Sequence, residues 1–370
     1  MFLHFFPKRN PKYLQDYQRW RKWSKYLQML FVYWDWTLVH TLCREPTRTS
    51  WGRHRPKYLL TQVSLHSPFI LSVWYTVWYC KILFFNNHFV ILSIIDFTGE
   101  GKTAKEYVSF LLDEVFPSTQ THTLSHILLT HGHDDHQGGL SEIFAELTKR
   151  KMLPLPTVHK FDSPTGSFPV KHISTLQDIC NGDLFETEGA TLQALYSPGH
   201  TDDHVCFILK ENHALLSGDC ILGCGTAVFE DLHSYMTSLK RLRVIMADGF
   251  PWSQAEDLSI TAIYPGHGPV LSNSVVEKVD EYIAHREERE RQIVAYLQRT
   301  STSHSRSSDV HWKSSWEIMS AIYPSTLPPI IKVAAQYNVL HHLSKLEVDG
   351  VVSTKWPDLW WFVKEQHQEK

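Results

Sequence analysis

Apolar and polar positions change period several times along the chain, and each change marks an element. Short apolar runs of strand length recur at Phe89-Val90-Ile91-Leu92, Ile127-Leu128-Leu129, Leu192-Gln193-Ala194-Leu195-Tyr196, Val205-Cys206-Phe207-Ile208-Leu209 and Ala214-Leu215-Leu216-Ser217. Runs this short, set between polar or turn-forming residues, predict buried β-strands. Lys210-Glu211-Asn212 joins the last two as a hairpin, and Asn86-Asn87 joins Ile82-Leu83-Phe84-Phe85 to Phe89-Val90-Ile91-Leu92 in another. Helical spacing appears between the strands. Tyr107, Phe110, Leu111, Leu112 and Val115 form an apolar stripe opposite Lys105, Glu106, Asp113 and Glu114. Gly138-Gly139 turns into a helix at Leu140-Ser141-Glu142-Ile143-Phe144. Residues 273–299 predict a long charged helix with Val275, Val279, Tyr282, Ile283, Ile293, Tyr296 and Leu297 as its apolar positions. Beyond a Ser-rich linker at 301–308, residues 316–323, 329–340 and 341–348 predict three short helices, and Gly350-Val351-Val352 turns into a strand. Strands alternating with helices argue for a layered α/β fold.

Charge changes this picture at one end. The chain of 370 residues has a formal net charge of -3, but residues 1–60 hold twelve Lys and Arg against three acids, so the remainder stands at -12. A basic, acid-poor N-terminus is compatible with a transit peptide, which makes the mitochondrial matrix the expected location and the cytosol the alternative. The acidic body offers no broad nucleic-acid footprint, and duplex DNA is not an expected partner. Residues 68–80 carry no charge, but Lys81 ends that run short of the ~20 residues a spanning helix needs, so 68–85 reads as β-structure rather than membrane. Cys43, Cys80, Cys180, Cys206, Cys220 and Cys224 follow no framework spacing and read as free thiols. Cys220 and Cys224 read as packing residues rather than a metal pair.

The candidate chemistry is concentrated in Thr130-His131-Gly132-His133-Asp134-Asp135-His136-Gln137-Gly138-Gly139, directly after an apolar strand. His131 and His133 would point apart in a continued strand, so they converge only if the strand has ended. Three more segments pair an apolar run with a Gly-containing turn and a ligand: Ser197-Pro198-Gly199-His200-Thr201-Asp202-Asp203-His204, Ser217-Gly218-Asp219-Cys220 and Tyr264-Pro265-Gly266-His267-Gly268-Pro269. Imidazole and carboxylate are the natural ligands of zinc and its neighbours. Asp134 and Asp202 are candidates to orient imidazoles from behind, with Asp134 equally readable as solvated. His341-His342 lacks a partner set and reads as an exposed helix face.

His-x-His-x-Asp-His followed by His, Asp and His in that order resembles the metallo-β-lactamase superfamily. The 197–204 and 217–223 segments, with Phe229-Glu230-Asp231-Leu232, are similar to its β-lactamase-like protein 2 branch. The resemblance implies an αββα sandwich of two mixed sheets between helices, with a small winged-helix-like C-terminal domain. It divides the chain into a divergent extension at 1–85, a catalytic domain at 86–300, and a linker with the winged-helix-like domain at 301–370. It also implies a ligand set. His131, His133 and His200 would bind one Zn2+; Asp135, His136 and His267 a second; Asp219 would bridge them, and Asp135 and Asp219 would serve catalysis. Two ions carry more positive charge than the two carboxylates neutralise, which favours hydroxide between them as the nucleophile. His204 and Thr226 are the implied substrate contacts. By resemblance alone, the activity is endoribonucleolytic, on single-stranded RNA. Thioester or ester hydrolysis, as in similar glyoxalase II relatives, and a metal-binding scaffold without turnover are the alternatives.

Overall fold

The computed structural model of the protein describes residues 59–60, 69–75, 78–85, 88–92, 108–109, 112–113, 123–162, 176–187, 190–248, 259–302, 312–355 and 358–363. Most of the basic N-terminal stretch and most of the helical stripe expected at 107–115 lie outside them. The first sheet is built from β1 (Leu59–Leu60), β2 (Phe69–Tyr75), β3 (Trp78–Phe85), β4 (His88–Leu92), β5 (Thr123–Leu128), β6 (Thr157–Lys160) and β7 (Leu176–Asp178). Their spatial order follows the chain. Pairing is antiparallel up to β4 and parallel from β4 to β7. The Asn86-Asn87 hairpin forms as expected, with Phe85 opposite His88. The uncharged stretch after residue 68 falls in β2 and β3, so a spanning helix through Lys81 is replaced by sheet. Among the described residues, no helix is long and apolar enough to cross a membrane.

After β5 come α1 (Asp134–Gln137) and α2 (Leu140–Lys149), which buries Leu140, Ile143 and Leu147 on one stripe. The Asp135-His136 segment is thus one helical turn rather than an irregular loop. The second sheet contains β8 (Leu184–Thr187), β9 (Ala190–Tyr196), β10 (Val205–Leu209), β11 (Ala214–Gly218) and β12 (Ala262–Pro265), in the order β12-β11-β10-β9-β8. Only β11 and β12 pair in parallel. Side chains alternate across a strand, and this sheet is covered on both faces. Val205, Phe207, Leu209, Ala194 and Leu216 pack with Leu128 of the first sheet. Cys206, Ile208, Leu195 and Leu215 pack instead against α3 (Leu232–Asp248) and α4 (Val275–Thr302), through Tyr235, Leu239, Val279 and Tyr282. Double coverage explains why β10 and β11 read as continuous apolar runs.

The C-terminal module consists of α5 (Ser315–Ile322), α6 (Pro329–Val348), β13 (Val352–Lys355) and β14 (Leu359–Phe362). Ser314 and Glu317 close a capping box at the start of α5. The division expected between Leu340 and His341 does not occur. No Gly or Pro interrupts there, and Val339, His342, Leu343 and Leu346 continue one buried stripe. The reading of His341-His342 as an exposed face is likewise corrected: His342 is fully buried and His341 half-buried. The C-terminal half of α4 joins this module, because Ile293 and Leu297 share its core with Ile318, Val339 and Trp360. Cys206 and Cys220 are buried free thiols, but Cys224 is disulfide-bonded, so free thiols are not the rule at all six positions.

Candidate metal centre

The ligand segments meet because their strands end at one sheet edge. His131 and His133 follow β5, Asp135 and His136 lie on α1, and His200, Asp219 and His267 follow β9, β11 and β12. Gly218 makes the last turn of β11 possible. Its φ is +50°, and a Cβ there would stand 2.7 Å from His204 Nε2. Gly199 has a φ of +130°, and a Cβ would overlap the Tyr235 backbone, so α3 can lie directly against the His200 turn.

Two groups of ligand atoms result, one formed by His131, His133, His200 and Asp219 and the other by Asp135, His136, Asp219 and His267. In the first, His131 Nε2 stands 3.0 Å from His133 Nδ1 and 3.2 Å from His200 Nε2, and His200 Nε2 is 3.1 Å from His133 Nδ1. In the second, His136 Nε2 is 3.3 Å from His267 Nε2 and 3.4 Å from Asp219 Oδ1, while His267 Nε2 is 3.2 Å from Asp135 Oδ2. Asp219 Oδ2 is 3.6 Å from His200 Nε2 and 3.5 Å from His267 Nε2, so this carboxylate faces both groups. Ligands about 2.0–2.1 Å from a tetrahedral ion stand about 3.3–3.4 Å from one another, which is the spacing seen here.

The electrostatics suit cations. Burial, reinforced by the neighbouring imidazoles, holds His131 well below its usual range and His200 at about 3. Burial also lowers His133. These rings are neutral and present lone pairs. Burial would raise Asp135 and Asp219, but His136 and His267 override it and keep both carboxylates ionised. Burial would lower His267, yet Asp219 and Asp135 drive it well above the ordinary imidazole value. The two carboxylates thus draw positive charge onto His267, and divalent ions would meet the same demand. The residues present fit a pair of metal ions.

Further residues hold these ligands. His200 Nδ1 donates to Val228 O at 2.7 Å, which leaves Nε2 free to ligate. Thr130 Oγ1 lies 3.0 Å from His131 Nδ1. Gln137 donates to Gly132 O at 2.6 Å, between the first two histidines. On the other side of Gly132, the Asp203 carboxylate accepts from its N–H, from Thr201 Oγ1 at 2.6 Å and from Lys160 Nζ at 2.6 Å. Asp203 therefore occupies the supporting position expected of Asp134 or Asp202. Asp134 is exposed, and Asp202 uses its carbonyl to accept from Tyr196 Oη at 2.8 Å. His204, expected as a substrate contact, is fully buried, and its Nε2 accepts the Asp219 N–H at 3.1 Å, so it positions the shared carboxylate. Thr226 is half-buried on the loop between Asp219 and α3. Cys220 belongs to the core and to neither ligand group. The supporting roles of Asp203, Lys160, Gln137 and Val228 were missed, because no local pattern marks them: Lys160 closes a mixed strand, Thr157-Val158-His159-Lys160.

Residues 122–267 match the Metallo-beta-lactamase superfamily, and residues 314–360 match the Beta-lactamase associated winged helix domain. A Beta-lactamase-like protein 2 homolog of Caenorhabditis elegans is 40% identical over 255 residues, covering 69% of this chain and 75% of the relative. The Drosophila melanogaster homolog is 35% identical over 253 residues, covering 68% and 77%. The crystal structure of a Beta-lactamase domain protein from Burkholderia ambifaria superposes with a TM-score of 0.58 at 14% identity, over 82% of this chain and 93% of that one, which supports the fold. With its ligand motifs gathered at one edge of two packed sheets and relatives this similar, the chain belongs to the metallo-beta-lactamase superfamily, whose members are generally metal-dependent hydrolases.

Proposed function

We propose that the protein is a dinuclear zinc hydrolase that cleaves single-stranded RNA endonucleolytically, in the mitochondrial matrix. The observation that carries the reading is Asp219, whose two carboxylate oxygens face both ligand groups. His131, His133 and His200 would hold one ion and Asp135, His136 and His267 another, with Asp219 offered to both; a pair held there would supply water activation at neutral pH and polarisation of a phosphoryl oxygen. The chain itself supplies the frame. His131, His133 and His200 remain neutral, Asp135 and Asp219 remain ionised, and Val228 and Thr130 orient the imidazoles. No side-chain nucleophile is required, and Thr226, half-buried on the loop that follows Asp219, is the proposed substrate contact. The basic stretch within residues 1–60 supports a mitochondrial address.

A second reading, thioester or ester hydrolysis, is favoured by the net charge of -12 outside that stretch, which gives an RNA chain little to follow. One preparation separates the two. Purified full-length protein is analysed for metal content and assayed on single-stranded RNA oligonucleotides and on an acyl-glutathione, beside His133→Ala and Asp219→Ala. The proposal expects two equivalents of zinc, RNA cleavage, and at least a 100-fold loss in both variants, on the order expected when a ligand to a catalytic ion is removed. Intact RNA with turnover of the thioester transfers the assignment to the second reading. Metal without any turnover leaves only a scaffold.

A further inference from the structure

The buried stripe of α4 contains one residue that does not belong there by polarity. Val275, Val279, Tyr282, Ile293 and Leu297 are apolar, but Arg286, at the same spacing, is only 4% exposed. Burying a guanidinium without an opposite charge is costly, and among the described residues Arg286 has no carboxylate partner. Its contacts go instead to the segment that leaves the metal centre. Arg286 Nη2 donates to Ala227 O at 2.9 Å, and the guanidinium lies 4.7 Å from the centre of the Phe229 ring. From the C-terminal module, His341 and His342 of α6 place their rings edge-on to the same Phe229, at 5.4 Å and 6.5 Å. Glu290, next on α4, lies 3.6 Å from His342 and 2.9 Å from Lys345 and ties α6 down.

On its other side, the segment 227–231 is joined to a metal ligand. Val228 O accepts from His200 Nδ1, Glu230 N donates to Gly199 O at 2.8 Å, and Asp231 N donates to the same carbonyl at 3.1 Å. Five consecutive residues therefore have the first ligand group on one flank and α4 with the winged-helix module on the other. Val228 lies between the two anchored neighbours, Ala227 and Phe229, so its carbonyl direction depends on both.

We infer that α4 and the C-terminal module together are part of the first metal site: through Arg286 of α4 and His341 of α6, both set against the segment of Phe229, they fix the Val228 carbonyl that aims the His200 imidazole. Arg286 is a positioning residue, acting through His200. The inference rests on the metal-centre reading above but not on RNA as substrate.

The test titrates cobalt(II) into metal-depleted full-length protein and follows its visible absorption, for the wild type, Arg286→Met and His341→Ala. Arg286→Met keeps the volume and removes the hydrogen bond and ring contact; His341→Ala removes the α6 ring from Phe229, together with its contact to Tyr337 within α6, and leaves Arg286 in place. The expected result is about tenfold weaker cobalt affinity at the first group, the size typical when support for a ligand is removed. Its absorption band should change, while binding at the Asp135–His136–His267 group stays within twofold. A role confined to stability would lower the melting temperature of the metal-free chain and leave both affinities alone. If Arg286→Met fails to fold, His341→Ala decides. Unchanged first-group affinity in a folded variant, or equal weakening at both groups, overturns the inference. Two cobalt ions bound by a wild type that leaves RNA intact would remove the ribonuclease reading and leave this one in place.

Discussion

Gly132, between two ligand histidines, shows how single residues hold the centre. Its N–H goes to Asp203 and its C=O takes the Gln137 amide, so the peptide is gripped from both sides. Burial pushes the Asp203 carboxyl up, but Lys160 overrides it and holds the group ionised. With side chains only 9% and 6% exposed, Lys160 and Asp203 form a buried ion pair. Removing one member of such a pair costs roughly 3–5 kcal/mol, because the other charge is left buried and unmatched. Asp203→Asn is therefore expected to lose about that much in urea unfolding. Lys160→Met with Asp203→Asn should recover most of it, because the charges leave together. A double variant no more stable than Asp203→Asn would show that the pair is not the coupling unit.

At the scale of elements, β5 delivers the first ligands, and its attachment to β6 includes a histidine pair. His126 Nδ1 and His159 Nε2 are 3.0 Å apart, a distance that requires at least one lone pair. Burial and the neighbouring His126 lower His159 to about 4. A histidine with a depressed folded value contributes stability that is complete above its unfolded value near 6.5 and is lost as pH falls toward 4. The expected loss across that window, discounted for solvent screening of a partly exposed pair, is on the order of 1–2 kcal/mol. His159→Leu should flatten this part of the stability–pH curve, read from denaturant midpoints between pH 7 and pH 4. A variant curve parallel to the wild type would place the acid sensitivity elsewhere. The element ends were legible locally, because His200, Asp219 and His267 follow apolar runs closed by Pro-Gly or Gly, and His131 follows one closed by Thr130. The extent of α6 was not. A cut between Leu340 and His341 looked plausible because two adjacent histidines resembled a solvent face, yet Phe229 covers them.

Across the whole molecule, the ligand set joins the two sheets. His131, His133, Asp135 and His136 follow a strand of the seven-stranded sheet, and His200, Asp219 and His267 follow strands of the five-stranded one. Ions bound there bind the folded state alone, so a metal held at about 1,000 times its Kd adds about 4 kcal/mol. For a chain of 370 residues that corresponds to roughly 5 °C in melting temperature. Chelation should lower the midpoint by about that amount and zinc should restore it; in His133→Ala most of the difference should vanish. A wild-type midpoint indifferent to chelator would mean that the centre contributes nothing to holding the sheets together. The chain's own order of residues determined the ligand inventory, the strands that carry it and the layered α/β class, because His-x-His-x-Asp-His and the strand-end turns are short-range patterns that survive without knowledge of packing. Tertiary structure alone decided which groups support those ligands. His200 finds its carbonyl 28 residues away and Ala227 finds Arg286 59 residues away. Partners so distant along the chain meet only after both sheets and the C-terminal module have packed, and no local period or spacing encodes that meeting.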